Sequence, residues 1–561
     1  MKYKNWSIPA APPVIPPALL SAGYSPLLSA ILALRGMDTP DAAKEFLFGE
    51  KELLSDPFSL ADMVPAVQRL QRAINNGEHI AVYGDYDVDG ITSACLLTDY
   101  LRSRGLTVET YIPDRIEEGY GLNCAAIDRL HQRGVTLIVT VDCGVTNLAE
   151  TAYANSLGLD MVITDHHECR EELPDAEAVV NTKRQDNISP ALNLAGVGVA
   201  FKLVCALSGQ TEAMLSRYCD LVAVGTVADV MLLTGENRYT VRRGLEKLAS
   251  DECLPGLRAL MLETGAADKR LTASTIGYNI APRINAAGRL GDTQAAVELL
   301  QTRSLRRAAE LAQELCRRNQ ERQQLELRIW QEAETALGEC RPDGPIVLAA
   351  RGWHQGVIGI AASRLTDKFA VPAVMICLDG ERGKGSCRSV GGFNLYEALT
   401  ACSDCLEGFG GHAMAAGLTI RPERVDELRE RLGEYYRAHP VDYVPALEAD
   451  LLVDDPVLLS EECVTSLDRL EPCGNGNPRP LLCITDAVLV NVTPIGGGKH
   501  LRLRLSKFDQ SYECVFFSQT AEKLGAAKDD RVDVIFSPQI NEFRSQCSVQ
   551  LVLSDLRPHR D

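Results

Sequence analysis

An alternation of short apolar runs with helical patterns, between residues 79 and 167, constrains the fold of this chain more than any other feature. Three runs are rich in Val and Ile and end in acidic residues: HIAVYGDYD, LIVTVDCG and MVITDHH. The segments between them, such as ITSACLLTDYLRSRG and LNCAAIDRLHQRG, have helical periodicity and end in Gly. This pattern predicts an α/β domain with a doubly wound parallel sheet, in which ligands bind at the carboxyl ends of the strands.

Acidic side chains cluster at the predicted strand ends. The motif GDYDVDG contributes Asp85, Asp87 and Asp89, which would share one face if the strand continued through them. For this motif alone, exposed turn acids are an alternative, whereas an EF-hand calcium loop is excluded because Leu96 stands where its Glu is needed. The further acids and histidines in or after apolar runs are Asp142, Asp165, His166, His167 and Asp229. We expect them to converge at one edge of the sheet.

Such a cluster of carboxylates and imidazoles indicates metal binding. An unpaired buried carboxylate is costly, and neighbouring carboxylates repel each other unless cations neutralise them. A mixed carboxylate and imidazole set favours Mn²⁺ or Mg²⁺ over zinc held by thiolates. Several carboxylates with too few His for a zinc triad predict two cations bridged by one Asp, which is an arrangement for phosphodiester hydrolysis.

The composition is that of an ordinary globular chain, with 46% hydrophobic and 24% charged residues and a net charge of −19. No apolar stretch approaches the roughly 20 residues needed to span a bilayer, and prolines interrupt the N-terminus, so we expect an intracellular protein without a secretory signal. Most of the 18 Cys lie in apolar segments, and the one CxxC, Cys402 to Cys405, leaves a structural zinc as a minor alternative. An acidic total does not exclude a local basic channel for nucleic acid.

Changes of pattern along the chain predict five segments. They are an N-terminal segment (1–60), a catalytic α/β domain (61–250), a connecting region (251–340), a second α/β domain (341–445) and a strand-rich domain (446–561). Residues 304–337 contain no Gly or Pro and predict one long helix. We interpret this helix as a strut between the two α/β domains; a solvated charged helix is the alternative. The short alternating strands of the last segment predict a small barrel or sandwich.

The order of these motifs resembles that of a known superfamily. GDYDVDGITS, VDCG, TDHH and GTVADV, in that order and spacing, resemble the DHH phosphoesterases. APRINAAGRLGD (281–292), GFGGHAMAAG (408–417), PCGNGNP (472–478) and GKHLRLRL (498–505) are similar to the bacterial RecJ exonucleases within that superfamily. The resemblance implies a DHH catalytic domain, a DHH-associated domain and a C-terminal oligonucleotide-binding (OB) barrel.

The resemblance also implies roles for the acids and histidines. The implied metal ligands are Asp87, Asp89, Asp142, His166 and Asp229. Asp142 would bridge two divalent cations, Mn²⁺ or Mg²⁺. The implied catalytic residues are Asp85 as a third acid near the metals, Asp165 as the group that orients the His pair, and His167 as a contact to the scissile phosphate or leaving group. Tyr83 stands where some family branches carry a ligating His, which leaves the protein ligands of the first metal open.

A second set of residues is implied to bind DNA. Those expected to anchor a 5′-terminal phosphate are Arg289, Ser386, Arg388 and His412. Arg115 and Tyr120 are expected at the cleft entrance, where they would admit one strand and exclude a duplex. Those expected to follow the strand on the basic face of the barrel are Lys499, Arg502 and Arg504, with His500, Phe543 and Arg544 as further candidates. The alternatives are tight turns with surface Arg and an ordinary half-buried strand.

Taken with these features, the resemblance implies a bacterial, cytoplasmic, monomeric 5′-to-3′ exonuclease specific for single-stranded DNA. Hydrolysis at two divalent cations would release 5′-mononucleotides, in DNA repair and recombination. Besides single-stranded DNA, the resemblance implies a single-strand-binding protein and a RecQ-type helicase as partners. One rival is a phosphoesterase of the same superfamily that acts on small substrates, and another is a non-catalytic binding protein with the same fold.

Overall fold

The computed structural model describes residues 5–11, 13–49, 51–338, 342–441, 443–543 and 546–560. The chain forms two compact units. One contains both ends of the chain, Met1–Leu53 and Val444–Asp561, and the other is the continuous stretch Leu54–Tyr443. In the described ranges, no helix is long and apolar enough to cross a membrane.

The N-terminal segment is mostly helical, and prolines begin its helices. Its elements are β1 (Asn5–Ser7), α1 (Pro17–Ser21), α2 (Pro26–Leu34) and α3 (Pro40–Phe48). Proline suits the first helical position because the N–H that it lacks would have no partner there and its φ is already helical. Ser25 and Thr39 cap α2 and α3 by accepting the N–H groups of Leu28 and Ala42.

The predicted doubly wound sheet is confirmed. The first α/β domain contains α4 (Met63–Asn76), β2 (Ile80–Gly84), α5 (Val88–Ser103), β3 (Val108–Tyr111), α6 (Cys124–Gln132), β4 (Leu137–Val141), α7 (Leu148–Ser156), β5 (Asp160–Asp165) and β6 (Ala178–Asn181). The strand order is β3-β2-β4-β5-β6, and all neighbouring strands are parallel. The three predicted apolar runs form β2, β4 and β5, so their carboxyl ends meet at one edge.

The motif GDYDVDG does not continue β2, so the condition under which its three acids would share one face of a strand is not met. β2 ends at Gly84, Asp87 caps α5, and Asp89 lies in the first turn of that helix. A Cβ at Gly90 would lie 2.4 Å from the carbonyl oxygen of Asp85, so only glycine fits this turn. The acids are therefore brought together by a tight turn into a helix, because the cap and the first helical turn face back toward the strand end.

A helical region follows the sheet and ends in the long predicted helix. It contains α8 (Gly196–Ser208), α9 (Thr211–Ala228), α10 (Gly235–Leu248), α11 (Pro255–Glu263), α12 (Ala273–Thr275), α13 (Ala281–Arg289), α14 (Gln294–Gln301) and α15 (Leu305–Leu337). A π-helical turn, Ile276–Ile280, joins α12 to α13. α15 has 33 residues with Ser304 as its N-cap, which confirms the helix predicted at 304–337. Its length is about 50 Å.

The second α/β domain has a mixed sheet. It contains β7 (Ile346–Arg351), α16 (Gln355–Phe369), β8 (Ala373–Asp379), β9 (Arg382–Arg388), α17 (Leu395–Ala401), β10 (Gly408–Gly411), β11 (Ala415–Ile420) and α18 (Val425–Ala438). The strand order is β10-β11-β9-β8-β7, and β7 and β8 are parallel. Cys402 and Cys405 lie in the apolar core of this domain.

The helix α15 contacts the helical region that precedes it and the second α/β domain. It packs against α11, α13 and α14 of the preceding region and against α16 of the second domain. Ile329 and Ala333 of α15 belong to the same apolar core as Val357 and Ile358 of α16. These contacts support the interpretation of the helix as a strut, because a merely solvated helix would not be buried at both ends.

The strand-rich segment forms a closed barrel. It contains β12 (Ala446–Glu448), β13 (Leu451–Leu452), α19 (Glu461–Ser466), β14 (Leu482–Ile495), β15 (His500–Lys507), β16 (Gln510–Phe516), β17 (Arg531–Phe543) and β18 (Gln546–Pro558). The order β14-β15-β16-β18-β17 closes because β17 also pairs with β14. The segment LVDDPVLL is not a continuous strand, since Pro456–Leu459 forms a 3-10 turn. The proline there begins the turn and cannot donate to a strand ladder.

The N-terminal segment shares its core with the barrel. Leu28 and Ile31 of α2 belong to one apolar cluster with Leu470 of the loop before β14 and with barrel residues such as Phe536. β1 pairs in parallel with β12. The guanidinium group of Arg35 donates hydrogen bonds to the side-chain oxygen of Asn477, within the motif PCGNGNP, and to the carbonyl of Pro478. The two ends of the chain thus build a single unit.

Candidate active site

The edge of the first sheet gathers acids and histidines from several elements. Asp142 directly follows β4 and adopts a left-handed backbone conformation with φ of 61°. Asp165 ends β5, and His166 follows it. Asp229 caps the C-terminus of α9, and Asp89 lies at the start of α5. A left-handed Asp is uncommon and strained, and such residues concentrate at functional sites.

The imidazole of His166 faces three carboxylates. Its Nε2 atom lies 3.0 Å from Asp142 Oδ1, 3.6 Å from Asp229 Oδ2 and 3.7 Å from Asp89 Oδ2. Among the described residues, neither this Nε2 nor Asp142 Oδ1 has a hydrogen-bond partner, so the two atoms approach without bonding. Burial, together with the nearby charge of His167, lowers the pKa of His166 to about 4. A neutral imidazole among unbonded carboxylate oxygens fits a divalent cation held between them.

The donor atoms form overlapping groups. The groups whose atoms lie within 4.8 Å of one another are Asp85 with Asp87 and Asp142, Asp89 with His166 and Asp229, and Asp142 with His166 and His167. Asp142 belongs to two of them. A carboxylate shared in this way has the position needed to bridge two cations.

The carboxylates of this cluster repel one another, because their negative charges lie close together. Burial raises the pKa values of Asp85, Asp89 and Asp142 well above their usual range, and the charges of neighbouring carboxylates raise them further. Burial and the charge of Asp87 raise the pKa of Asp229 to about 7. Asp85 Oδ1 is buried and has no described hydrogen-bond partner. The donor set of carboxylates and imidazole therefore fits Mn²⁺ or Mg²⁺, which would offset the repulsion.

Asp165 is held by the backbone and in turn holds His167. Its carboxylate accepts the N–H groups of Val145 at 3.0 Å, His166 at 2.7 Å and His167 at 3.2 Å. Its Oδ1 also lies 2.8 Å from His167 Nδ1. Burial lowers the pKa of His167, but the hydrogen bond and charge of Asp165 outweigh that effect and raise the pKa to about 9. The pair thus places a cationic imidazole beside the acids.

Tyr83 packs into the core of the sheet. Its side chain is fully buried, and its hydroxyl donates to the carbonyl of Gly121 at 2.9 Å and accepts from Asn123 Nδ2 at 3.2 Å. Its ring stacks on Tyr111 at 5.0 Å. These contacts hold the Tyr83 ring in the core of the sheet.

Three arginines lie close together near the acids. Burial lowers the pKa of Arg289 to about 10, and the charges of nearby arginines, Arg115 and Arg388 among them, lower it further. Burial and the charge of Arg115 also lower the pKa of Arg388. Within the described ranges, no carboxylate forms an ion pair with any of the three. Arginines that repel each other and lack counter-charges fit an anionic ligand such as a phosphate.

Ser386 extends the arginine cluster into the second α/β domain. Its Oγ accepts a hydrogen bond from Arg388 Nη1 at 3.3 Å on the face of β9 that meets α16. A Cβ at Gly359 would lie 2.8 Å from this Oγ, so the helix backbone approaches closely. Arg289 of α13 reaches the same helix, where its Nη1 donates to the carbonyl of Gly356 at 3.1 Å. The cluster therefore spans both α/β domains.

Tyr120 borders the acids, and His412 lies in the exposed turn between β10 and β11. The hydroxyl of Tyr120 is 3.3 Å from His167 Nδ1, and its ring meets Tyr86 edge-on at 6.4 Å. Arg115 lies over the same Tyr86 ring, with its Cζ 4.8 Å from the centroid. His412 is exposed beyond β10, and no described hydrogen bond or ion pair joins its side chain to the arginines. The structure thus brings Arg289, Ser386 and Arg388 together, and the N–H of His412 donates to the carbonyl of Ala415, which pairs with Arg388 on β9.

The barrel carries its predicted basic face in the other unit. Along β15, Arg502 and Arg504 are exposed while the intervening leucines are buried. Arg504 donates to Glu513 Oε1 at 2.7 Å, whereas Arg502 has no ion-pair partner among the described residues. Lys499 is exposed in the turn before β15. Two further candidates cannot be placed, because the side chain of Phe543 and the whole of Arg544 lie outside the described residues.

Sequence reasoning missed the glycines that make room for the acids. A Cβ at Gly196 would lie 2.5 Å from Asp142 Cβ, and a Cβ at Gly225 would lie 2.9 Å from Asp89 Oδ1. Both glycines are buried at the start of α8 or within α9. Glycine costs a helix about 1 kcal/mol relative to alanine, so its presence in the apolar segments AGVGVAF and VAVGTVADV was an available signal of close approach.

Sequence reasoning also missed two aromatic residues. Tyr86, within GDYDVDG, contacts Arg115 and Tyr120 beside the acids. Phe517 of the barrel is 56% exposed, with its ring 5.4 Å from that of His500. Exposed aromatic rings can stack on nucleobases. The strand pattern gave no hint of Phe517, because an exposed ring is visible only in three dimensions.

Comparison with known families matches three parts of the chain. The DHH family N-terminal domain matches residues 79–226, the DHHA1 domain matches residues 343–438, and the RecJ OB domain matches residues 454–555. The single-stranded-DNA-specific exonuclease RecJ of Salmonella typhimurium is 35% identical over 96% of this chain and 97% of its own length. This chain belongs to the RecJ family. The Bacillus subtilis RecJ is 39% identical over 95% of this chain and 68% of its own length.

Solved structures of the RecJ family share this fold. The crystal structure of RecJ from Thermus thermophilus in complex with Mn²⁺ has a TM-score of 0.85 and 31% identity, and it covers 99% of this chain and 80% of its own. The complex of RecJ from the same organism with Mg²⁺ has a TM-score of 0.80 and 29% identity, and it covers 99% of this chain and 79% of its own. The expected fold class, a DHH domain joined by a long helix to a DHH-associated domain and followed by an OB barrel, is confirmed.

Proposed function

We propose that this protein hydrolyses single-stranded DNA as a metal-dependent exonuclease. One observation carries the proposal: His166 Nε2 faces the carboxylates of Asp89, Asp142 and Asp229 at 3.0–3.7 Å, a donor set that fits divalent cations. RecJ relatives, named as single-stranded-DNA-specific exonucleases and solved with Mn²⁺ and Mg²⁺, supply the substrate class and the choice of cation.

The acids and histidines are proposed to have different roles in hydrolysis. The residues proposed to hold two divalent cations are Asp87, Asp89, Asp142, His166 and Asp229. When bound, the cations would polarise the scissile phosphate and lower the pKa of an attacking water. Asp85, which is buried, adds a third carboxylate beside Asp87 and Asp142. Asp165 fixes His167, which would donate a hydrogen bond to the phosphate or a proton to the leaving oxygen.

The arginine cluster is proposed to anchor the 5′-terminal phosphate of the strand, which would give 5′-to-3′ polarity. A terminal phosphate carries more negative charge than a phosphodiester, so unpaired Arg115, Arg289 and Arg388 would select a strand end. Anchoring that end a fixed distance from the acids would release 5′-mononucleotides one at a time. Tyr120, beside His167, would narrow the entrance for a duplex. His412 is proposed to contact the strand from the exposed β10–β11 turn.

The barrel is proposed to bind the strand further from its end. Lys499, Arg502 and Arg504 supply positive charge, and Phe517 with His500 supplies a surface for base stacking. This combination would bind single strands with little sequence preference.

The cellular setting follows from the proposed activity. An exonuclease for single-stranded DNA would act in DNA repair and recombination in the bacterial cytoplasm. A monomer is proposed as the active form. A single-strand-binding protein and a RecQ-type helicase are proposed as partners because they hold or generate the substrate.

The test of this proposal is degradation of a long single-stranded DNA in the presence of Mn²⁺, with a label at either end. We expect mononucleotides from the 5′ end of the single strand and no products from a blunt duplex. Turnover of a dinucleotide or nucleotide phosphate, without degradation of DNA, would instead establish the small-substrate rival. Release from the 3′ end would overturn the proposed polarity while leaving the nuclease activity standing.

Asp142→Ala provides the matched test of the site. We expect a loss of about a thousandfold or more in rate, since two of the three donor groups lose the carboxylate that they share. Asp128→Ala, which removes an acid from α6 outside these groups, should leave the rate unchanged. Retained turnover by Asp142→Ala would overturn the two-cation assignment, and equal loss in both variants would point to a general effect of charge or folding.

A further inference from the structure

Asn285 of α13 bonds to the loop that carries two of the proposed metal ligands. Its Oδ1 accepts the Val88 N–H at 3.2 Å. Val88 is the first residue of α5 and lies between Asp87 and Asp89. The first N–H groups of a helix have no partner within the helix, so an outside acceptor fixes their position. Asn285 supplies that acceptor from a residue almost two hundred positions away in the chain.

Asp87 also stabilises this loop, through a hydrogen bond within the loop itself. The Oδ1 of Asp87 accepts the Gly90 N–H at 3.1 Å, which leaves its other oxygen free of this bond and available to a cation. The direction of that second oxygen depends on the backbone of Asp87 and Val88. A loop tied at Gly90 alone could still rotate about its N-terminal end, and the bond from Asn285 to Val88 removes that freedom.

Helix α13 touches the loop at a second point. A Cβ at Gly288 would lie 2.2 Å from the carbonyl oxygen of Tyr86, so the helix backbone and the loop are in direct contact. Asn285 and Gly288 are three residues apart and therefore lie on the same face of α13. This face binds the loop at Tyr86 and at Val88, on either side of Asp87.

The C-terminal end of α13 meets the second α/β domain. A Cβ at Gly356 would lie 2.1 Å from the carbonyl oxygen of Arg289, and Arg289 Nη1 donates to the Gly356 carbonyl. The helix that holds the metal loop thus also carries an arginine of the phosphate cluster. One rigid element sets the positions of both.

We propose that Asn285 is a positioning residue for the cations: through the Val88 N–H it sets the direction of the Asp87 and Asp89 carboxylates, and Gly288 permits the contact. The proposal deepens the proposed metal-dependent function and rests on it. Residues that orient metal ligands without touching the metal change its affinity about 10- to 100-fold when removed. Asn285 should have an effect of that size.

The experiment measures Mn²⁺ binding to the metal-free full-length protein by isothermal titration calorimetry, without DNA. Asn285→Leu keeps the side-chain volume but removes the acceptor, and we expect Mn²⁺ affinity to fall about 10-fold or more. Asn285→Asp keeps an acceptor oxygen, and we expect affinity within about threefold of the unmodified protein, since Asn and Asp serve equally as caps. Rescue by Asp separates positioning from a purely steric role.

Asn123→Leu is the matched control. Asn123 caps α6 by accepting the Ala126 N–H at 2.8 Å, and α6 carries none of the proposed ligands. Its loss should lower the melting temperature as much as Asn285→Leu does and leave Mn²⁺ affinity unchanged. If Asn285→Leu fails to fold, Asn285→Ala and Gly288→Ala test the same contact, and both should weaken Mn²⁺ binding.

The outcomes separate this inference from the proposed function. No Mn²⁺ binding by the unmodified protein would overturn the metal site itself. Normal binding by the unmodified protein and by Asn285→Leu would overturn only the positioning role. Equal weakening in Asn285→Leu and Asn285→Asp would also overturn it, because the acceptor oxygen would then not be the relevant feature.

Discussion

At the scale of single residues, the candidate metal centre depends as much on glycines, which have no side chain, as on the acids. Gly196 approaches Asp142 and Gly225 approaches Asp89 so closely that a methyl group would overlap the carboxylates. Asp142 itself adopts a left-handed backbone conformation that glycine usually occupies. The strained acid and its glycine neighbour therefore form a matched pair, in which close packing of α8 keeps the carboxylate directed at His166.

Gly196→Ala tests this dependence. The added Cβ would lie 2.5 Å from Asp142 Cβ, so we expect the carboxylate to move and Mn²⁺ affinity to fall about 10-fold, as measured by calorimetry. Gly198→Ala, two residues along the same helix, is the control. Its Cβ would meet Leu194 Cβ at 3.0 Å, a contact that a small shift relieves, and we expect unchanged Mn²⁺ affinity. Unchanged affinity in Gly196→Ala would show that the close approach is unimportant.

At the scale of secondary-structure elements, helix ends build the site. The carboxylate of Asp89, in the first turn of α5, accepts the N–H groups of Gly196 at 2.6 Å and Val197 at 2.8 Å, so it also caps α8. Backbone N–H groups and the positive end of the helix dipole stabilise the negative charge. Because each carboxylate oxygen has a second lone pair, this capping role is compatible with metal binding.

The prediction at this scale concerns the binding of single-stranded DNA by the strand β15. Arg502 is exposed on β15 without an ion-pair partner among the described residues. In an Asp142→Ala background, which prevents degradation, we expect Arg502→Ser to weaken binding of single-stranded DNA. We also expect the slope of log K against log salt to decrease by about 0.7, as when one phosphate contact is lost. Fluorescence anisotropy at several salt concentrations measures both.

Arg479→Ser is the control for that experiment, because it removes the same charge from the same unit. Arg479 is held by Glu471 at 2.6 Å and lies outside β15. Its substitution should leave the salt slope unchanged. An equal change in both variants would mean that net charge, and not the face of β15, governs binding.

At the scale of the whole molecule, the two ends of the chain together build one of its compact units. Helix α2 contributes Leu28 and Ile31 to the apolar core that the barrel strands complete. A deletion of the barrel alone would therefore expose this core in the N-terminal segment. For this reason, substitutions within the barrel are better tests of its role than truncation is.

Leu28→Ala tests this shared core. Leu28 is fully buried, and its truncation should lower the free energy of unfolding of this unit by about 2–5 kcal/mol, measured by urea denaturation. Leu34→Ala, on the same helix at a position 56% exposed, should change it by less than about 0.5 kcal/mol. Mn²⁺ affinity should be the same in both variants, since the metal donors belong to the other unit. Equal stability of the two variants would contradict a shared core.

The sequence by itself determined the elements and the chemical types of the site. Strand–helix alternation between residues 79 and 167 predicted the parallel sheet, and the leucine–arginine alternation in β15 predicted its buried and exposed faces. These features follow from local periodicity, which one segment of chain expresses without the rest. The acids and histidines were also visible, because polar residues at the ends of apolar runs are locally unusual.

Only the tertiary structure decided which of those groups meet and what holds them. The acids of GDYDVDG converge because the chain turns after Gly84, and not because they alternate along a strand. Tyr83 is buried in the core. The bond from Asn285 to Val88 and the core shared by α2 and the barrel join distant parts of the chain. Such contacts depend on how whole elements pack, and no periodic pattern in the sequence indicates the packing distances.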